Sequence, residues 1–305
     1  MSNNQQLEIN IAFSFDFNYF RQAYCAIVSL LSCAKKGNEQ PFYNLYLLID
    51  DSVTKEVQEE ISKNLNDFYQ AISIKFVNTS KYIKGCFEIR DISTATYSRL
   101  VLPKLLKDID KIIYCDVDVV FRTDLLDFYG NDLADYYLGA CVDPGLNFNE
   151  SQAEMASSFY YWKRYLYSSH ARYVIGSPLL LNLKKLREVN FTELGLDLSK
   201  HCFHYQDQDI INIIVSLKAL NIKYLPMSYS IIPASVRANA YYRLYKEKLI
   251  TEESFKSTFD YKIIHYAAYK PWDDDIFMGD IWWQNLKENT PYLQYFINRL
   301  AKSAQ

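Results

Sequence analysis

The sequence predicts an α/β fold: a mainly parallel central sheet flanked by helices, with a C-terminal helical cap. Three observations carry that prediction. Short apolar runs rich in β-favouring residues alternate with amphipathic runs at helical spacing over residues 9–77. A further apolar run, Lys111-Ile-Ile-Tyr-Cys115, stops at Asp116-Val-Asp118. The tail is aromatic and helically spaced.

Residues 9–15 read as a first strand ending at the polar group Asp16-Phe-Asn18. Over 19–34, Phe20, Ala23, Tyr24, Ile27, Leu30 and Leu31 recur at helical spacing, and Lys35-Lys36-Gly37 supplies a stop. Strands follow at 42–49 and 72–77, separated by a helix over 52–68 with Val53, Val57, Ile61 and Leu65 on one stripe. A helix over 94–106 delivers the chain to the strand that ends at Asp116. Beyond Asp118 the alternation loosens. A strand over 137–142 ends at Asp143, and the Asn-, Ser- and Tyr-rich stretch 144–172 reads as a long excursion. A strand over 179–183, a helix over 205–220 and a strand over 222–225 follow. The apolar run 262–264 precedes His265, and helices are expected at 281–286 and 292–300.

Composition narrows the function classes. The 305 residues can bury one large core; 50% are hydrophobic and 23% charged, as in ordinary soluble proteins. A net charge of −3 gives no basic footprint, so no nucleic-acid partner is expected. The polar start Met1-Ser-Asn-Asn lacks the pattern of a signal peptide, and no apolar run is long enough to span a bilayer. The six cysteines form no Cys-x-x-Cys pair, so free thiols in a reducing cytoplasm are expected. The 27 tyrosines and 18 phenylalanines could stack on sugars, but compositional bias in the gene explains most of them.

Chemistry concentrates at strand ends, where open α/β sheets bind ligands. In extended chain, residues i and i+2 project to one side, so Asp116 and Asp118 converge. With no basic residue between them they repel and lose solvation unless a cation intervenes. Two carboxylates suit Mg²⁺ or Ca²⁺; an imidazole from His265 shifts the preference toward Mn²⁺. Lys270 nearby is a partner for a diphosphate. Plainer readings exist for each residue. Asp-x-Asp alone can be a solvated turn, His265 a structural histidine, Arg99 a surface cation, and Gln206 to Asp209 a helix cap. Asp273 to Asp275 reads as a solvated acidic turn, and Arg299 with Lys302 gives too little charge to claim lipid contact.

In order and spacing, the motifs Ala12-Phe-Ser-Phe-Asp16-Phe-Asn18-Tyr19, Ser93-Thr-Ala-Thr-Tyr97-Ser-Arg99-Leu and Tyr114-Cys-Asp116-Val-Asp118 resemble glycosyltransferase family 8. So do Leu138 to Asp143, Leu180-Leu-Asn182-Leu-Lys-Lys185, Tyr205-Gln-Asp207-Gln208-Asp209 and His265 to Trp272. The family comprises retaining enzymes of Rossmann-like GT-A fold, and the chain is most similar to its bacterial lipooligosaccharide α-galactosyltransferase branch.

The resemblance implies a division into residues 1–235, binding nucleotide-sugar and acceptor, and a helical segment 236–305 carrying the His-to-Lys motif. It implies that Asp16, Asn18, Tyr19 and Val117 contact the nucleotide of UDP-glucose or UDP-galactose, with Lys270 on its phosphates. Asp116, Asp118 and His265 would ligate Mn²⁺, with Mg²⁺ as the substitute. Arg99, Asp143 and Asp207 would grip the donor sugar. Gln208 would lie on its β-face, where a poorly nucleophilic amide favours same-face attack by the acceptor. The implied acceptor is a glycan or glycolipid in cell-surface polysaccharide or lipooligosaccharide synthesis, and the implied location is cytoplasmic, with peripheral contact at the inner membrane.

The sequence departs from the family pattern in two places. Ile175 stands where close members carry a sugar-binding Asn, and the His-to-Lys segment is one residue short, with Ala268 for the usual Gly. Two competing functions remain to be separated: a haloacid-dehalogenase-type phosphohydrolase, which also begins Asp-x-Asp-x-Val, and a UDP-sugar-binding module without turnover.

Overall fold

In the computed structural model, the described residues are 7–37, 39–88, 93–147 and 172–303. Among them, nine strands make two sheets: β1 (Glu8–Phe15), β2 (Phe42–Ile49), β3 (Ile72–Asn78), β4 (Lys111–Cys115), β5 (Val119–Phe121), β6 (Leu138–Val142), β7 (Val174–Asn182), β8 (Ile222–Tyr224) and β9 (Ile263–His265). The larger sheet has the order β3-β2-β1-β4-β7-β6-β8, and β5 pairs with β9 in the smaller one. In the larger sheet β3, β2, β1 and β4 run parallel, as do β6 and β8, and β7 is antiparallel to its neighbours, β4 and β6; β5 and β9 pair antiparallel. The mainly parallel sheet expected from the alternating pattern is therefore present. The longer helices are α1 (Phe20–Lys36), α2 (Lys55–Phe68), α3 (Gln206–Leu217), α4 (Gly279–Asn289) and α5 (Leu293–Ser303).

Side-chain alternation sends β1 into two hydrophobic layers. Ile9, Ile11, Phe13 and Phe15 enter one with α1 and α2, and Ala12 enters the other with Tyr114, Leu179 and the inward face of α3. Burial on both faces is why these strands read as near-continuous apolar runs. The C-terminal residues Trp272, Trp282, Leu286 and Phe296 belong to the same layer as α1. There Trp282 meets Phe296 edge-on at 4.8 Å and Trp272 at 5.2 Å. Arg299 donates to both carboxylate oxygens of Asp273, fastening α5 to the loop after β9. Asp273 is thus ion-paired, not part of a merely solvated turn. Among the described residues, no helix is long and apolar enough to cross a membrane.

Four expectations about elements need correction. Residues 94–106 form a 3-10 helix, Thr94–Val101, and then a short α-helix, Leu102–Leu105, rather than one α-helix. β7 starts at Val174, earlier than expected: Val174 and Leu179–Leu181 pair with β6, and Gly176 and Pro178 fall in the irregularity between these pairs, where strands tolerate such residues. The short helices Pro233–Arg237, Ala240–Lys246 and Glu252–Ser257 lie where no periodic signal was read. His265 closes β9 rather than following it. The expected excursion over 144–172 falls mostly outside the described residues.

Strand register positions the chemistry. Phe13 lies level with Cys115, so the polar residues after β1 and β4 emerge at one edge. Tyr114 lies opposite Leu179, which carries the first half of β7 past the end of β4; there the Asp116 amide donates to Ser177 Oγ at 2.8 Å. Val119 lies opposite His265, and the Tyr266 amide donates to Asp118 O at 2.8 Å.

Candidate functional site

Asp116 leaves the end of β4 and Asp118 enters β5, while His265 is brought in by β9. One ligand atom from each of these three residues lies within 4.8 Å of the others. His265 Nε2 is 3.2 Å from Asp118 Oδ1 and 3.8 Å from Asp116 Oδ2. Asp118 Oδ1 is buried and accepts no hydrogen bond among the described residues. An orphaned carboxylate oxygen beside an imidazole nitrogen fits a divalent cation, and three protein ligands leave positions for further oxygens.

Fixed cations flank this trio, so protein side chains already relieve part of the repulsion expected between the aspartates. Arg99 donates from Nη2 to Asp116 Oδ1, and Lys270 donates from Nζ to Asp118 Oδ2 and to Tyr266 O. Neither cation is close in sequence; each arrives from another element. Burial works to raise the Asp118 carboxyl, but Lys270 and then His265 outweigh it and hold the group well below its ordinary range. Tyr19 lies near enough to feel both Lys270 and Asp118; burial raises its phenol and Lys270 opposes the rise.

Arg99 is a structural hub. Its side chain is 4% exposed, and all three nitrogens face protein acceptors. Nη1 donates to Gly176 O, Nε donates to Thr96 O at 3.1 Å, and Nη2 donates to Thr96 Oγ1 at 3.1 Å as well as to Asp116. Nε also lies 2.8 Å from Asp207 Oδ2, and Tyr114 stacks beneath the guanidinium at 4.1 Å. The sequence expectation that Arg99 grips the donor sugar thus meets a guanidinium already turned toward Asp116 and Asp207.

A second polar group adjoins the first. Asp143 Oδ1 accepts from the Gly145 and Leu146 amides, and Oδ2 accepts from Gln208 Nε2 at 2.9 Å. Gln208 Oε1 accepts from the Gly176 amide at 2.9 Å. Asp207 lies in the first turn of α3, and its Oδ1 accepts from Thr96 Oγ1. Burial raises the Asp143 carboxyl and pushes Asp207 up to about 6, Arg99 opposing the latter rise. Asp209 points away from the metal trio: its oxygens accept from Tyr173 Oη at 2.6 Å and the Tyr205 amide at 2.9 Å. The Tyr205 contact satisfies the backbone amide of the residue that precedes α3, so Asp209 takes a capping role. Gly176 has no Cβ because one would come within 2.8 Å of Arg99 Nη1.

Asp16, Asn18 and Tyr19, expected from the sequence to contact a nucleotide, lie at the adjoining end of β1. Asp16 Oδ1 folds the turn by accepting from the Asn18 and Tyr19 amides at 2.9 and 3.2 Å, while Asn18 stays exposed. Val117 is buried between the two aspartates. Ile175 is also buried and joins the hydrophobic layer with α1.

The sequence model of glycosyl transferase family 8 matches residues 10–276. The chain belongs to this family. A Haemophilus influenzae protein named "Putative glycosyltransferase" is 30% identical over 211 residues, covering 67% of this chain and 58% of that protein. Among solved structures, the galactosyltransferase LgtC, in complex with donor and acceptor sugar analogs, superposes with a TM-score of 0.74 at 23% identity, covering 96% of this chain and all of LgtC. The bifunctional glycosyltransferase WbbM gives 0.72 at 20% identity, covering 98% of this chain and 53% of its own. The chain therefore spans little more than half the length of the Haemophilus relative and of WbbM. These structural likenesses establish a GT-A-type fold. Family membership disfavours the phosphohydrolase alternative, which needs the Asp-x-Asp motif on the first strand.

For this family 8 chain, sequence reading had singled out Asp116, Asp118, His265 and Lys270, and the structure brings them together. It had passed over Thr96, Tyr114, Gly176 and Ser177. All four lie inside or beside the quoted motifs, and Gly176 could have been flagged as a glycine within a strand. Thr96 and Ser177 act through hydrogen bonds that only long-range register creates.

Proposed function

We propose that the chain is a retaining, divalent-metal-dependent glycosyltransferase. It moves galactose or glucose from a UDP-sugar to a glycan or glycolipid acceptor in cell-surface glycan synthesis. The single observation that carries this reading is the Asp116, Asp118 and His265 trio beside Lys270 at the edge where β1 also ends. A bound cation, Mn²⁺ in this reading, supplies Lewis-acid stabilisation of the departing diphosphate. Asp16, Asn18, Tyr19 and Val117 would bind the nucleotide, and Lys270 would add positive charge at the phosphates. Residues 1–235 would carry both substrates, and 236–305 would contribute His265 and Lys270.

Asp143 and Asp207 are placed to accept hydrogen bonds from sugar hydroxyls; Asp207 Oδ2 is buried and accepts none among the described residues. Gln208 is clamped at both ends of its amide, which suits fixing the sugar more than attacking it. The acceptor oxygen then bonds to the anomeric carbon on the face that the diphosphate leaves. The carbon–diphosphate bond breaks, and the acceptor proton passes to the diphosphate.

The test is UDP release from UDP-glucose and UDP-galactose with Mn²⁺ and with EDTA. Metal-dependent release is expected, faster with acceptor. Phosphatase activity independent of UDP-sugar would sink the reading, and tight UDP binding without turnover would make the chain a binding module.

A further inference from the structure

We infer that Thr96 is a positioning residue which, through Arg99, fixes the metal-facing carboxylate of Asp116. This rests on the proposed metal-assisted transfer and assigns Thr96 a part in it. Thr96 meets Arg99 twice, accepting Nε at its carbonyl and Nη2 at its hydroxyl. Its hydroxyl proton goes to Asp207 Oδ1, which leaves the Thr96 oxygen oriented toward Arg99. The hydroxyl is therefore one of the contacts that fix the rotation of the guanidinium that donates to Asp116. The 3-10 helix carrying Thr96 is itself pinned to β1, because Ser14 Oγ donates to Ala95 O at 2.6 Å.

Geometry makes the linkage one of position. Asp116 has two oxygens with different partners: Oδ1 takes Arg99 and the Tyr114 hydroxyl, and Oδ2 faces His265. Holding Oδ1 leaves Oδ2 as the oxygen presented to a cation. Without the Thr96 hydroxyl, Nη2 loses one acceptor and Asp207 Oδ1 loses its donor, both in buried surroundings where unpaired groups drive rearrangement. The guanidinium would turn, and the carboxylate would turn with it.

The test uses the full chain and Mn²⁺ alone, with free-ion electron paramagnetic resonance reporting binding. Thr96→Val, nearly the same shape without the hydroxyl, is expected to weaken Mn²⁺ binding by about 10–100-fold, the usual effect of losing a group that orients a ligand. Thr96→Ser is expected to restore it. Thr192→Val is the control, since Thr192 Oγ1 is a buried hydroxyl donating to Leu100 O on the same 3-10 helix at 2.8 Å. It should lower the melting temperature and leave Mn²⁺ affinity unchanged. If Thr96→Val does not fold, Thr96→Ala replaces it with the same expectation. Wild-type affinity in the Thr96 variant, failure of Ser to rescue, or an equal loss in the Thr192 variant overturns the inference while leaving the proposed function standing. Absence of Mn²⁺ binding by the wild type overturns both.

Discussion

Gly176→Ala is the smallest substitution that should disturb the site from behind. The glycine sits in β7 between Arg99, which donates to its carbonyl, and Gln208, which accepts from its amide. A Cβ there would lie 2.8 Å from Arg99 Nη1 and 3.3 Å from both Cβ and Oε1 of Gln208. Nη1 ends a flexible side chain, but Thr96, Asp116 and Asp207 already hold that side chain, so it cannot withdraw without breaking a charged contact. Overpacking of this kind costs about 1–3 kcal/mol. At about 2 °C per kcal/mol for a chain of this size, the melting temperature should fall by about 2–6 °C. Displacing Arg99 should also lower metal affinity and UDP-sugar turnover by about 10–100-fold. Gly139→Ala in β6 is the comparison: its Cβ would come within 3.2 Å of Leu225 Cδ1, far from the charged groups, so it should cost stability alone. Thermal melts with turnover assays on both variants separate the two effects. Wild-type turnover in Gly176→Ala, or equal losses in both variants, would refute the reasoning.

Asp118→Asn should abolish turnover and greatly weaken metal-dependent UDP binding, since it removes the charge facing His265 and Lys270; isothermal titration with UDP and Mn²⁺ checks this. Phe296→Ala should destabilise by about 3–5 kcal/mol, read by urea unfolding, because its buried ring packs against both Trp272 and Trp282. Burial pushes the Asp209 carboxyl up to about 7, above its unfolded value, so the folded chain holds this proton longer. Asp209 therefore opposes folding increasingly as pH rises from about 4 to 7, by at most about 1.4 kcal/mol per pH unit. Relative to Asp209→Asn, wild-type stability should fall across that range; a pH-independent difference would contradict the assignment.

How far the sequence revealed this molecule depended on the range of each interaction. β2 is legible to the residue because its apolar run is broken only by Asn44 and its last five residues are buried on both faces. β7 is not, because its first half contains Gly176 and Pro178 and is held by hydrogen bonds with Gln208, Arg99 and Asp116, all distant in the chain. The same division holds at the site. Asp116 and Asp118 announce themselves by spacing, and His265 and Lys270 by their place after an apolar run. The charge balance was hidden, since the helix over 94–106 is legible but the pairing of its Arg99 with Asp116 on another element is not. Thr96 was hidden further, because an isolated threonine says nothing until the groups on either side of it are known.

The central claim is that Asp116, Asp118 and His265 hold a divalent cation against a nucleotide diphosphate. Anomalous diffraction from crystals soaked with UDP and Mn²⁺ tests it most directly. The account predicts one strong peak within about 2.0–2.6 Å of a carboxylate oxygen from each aspartate and in contact with His265 Nε2, bridging to the diphosphate. UDP bound at the end of β1 with no peak among these three residues, or a peak elsewhere, would contradict it.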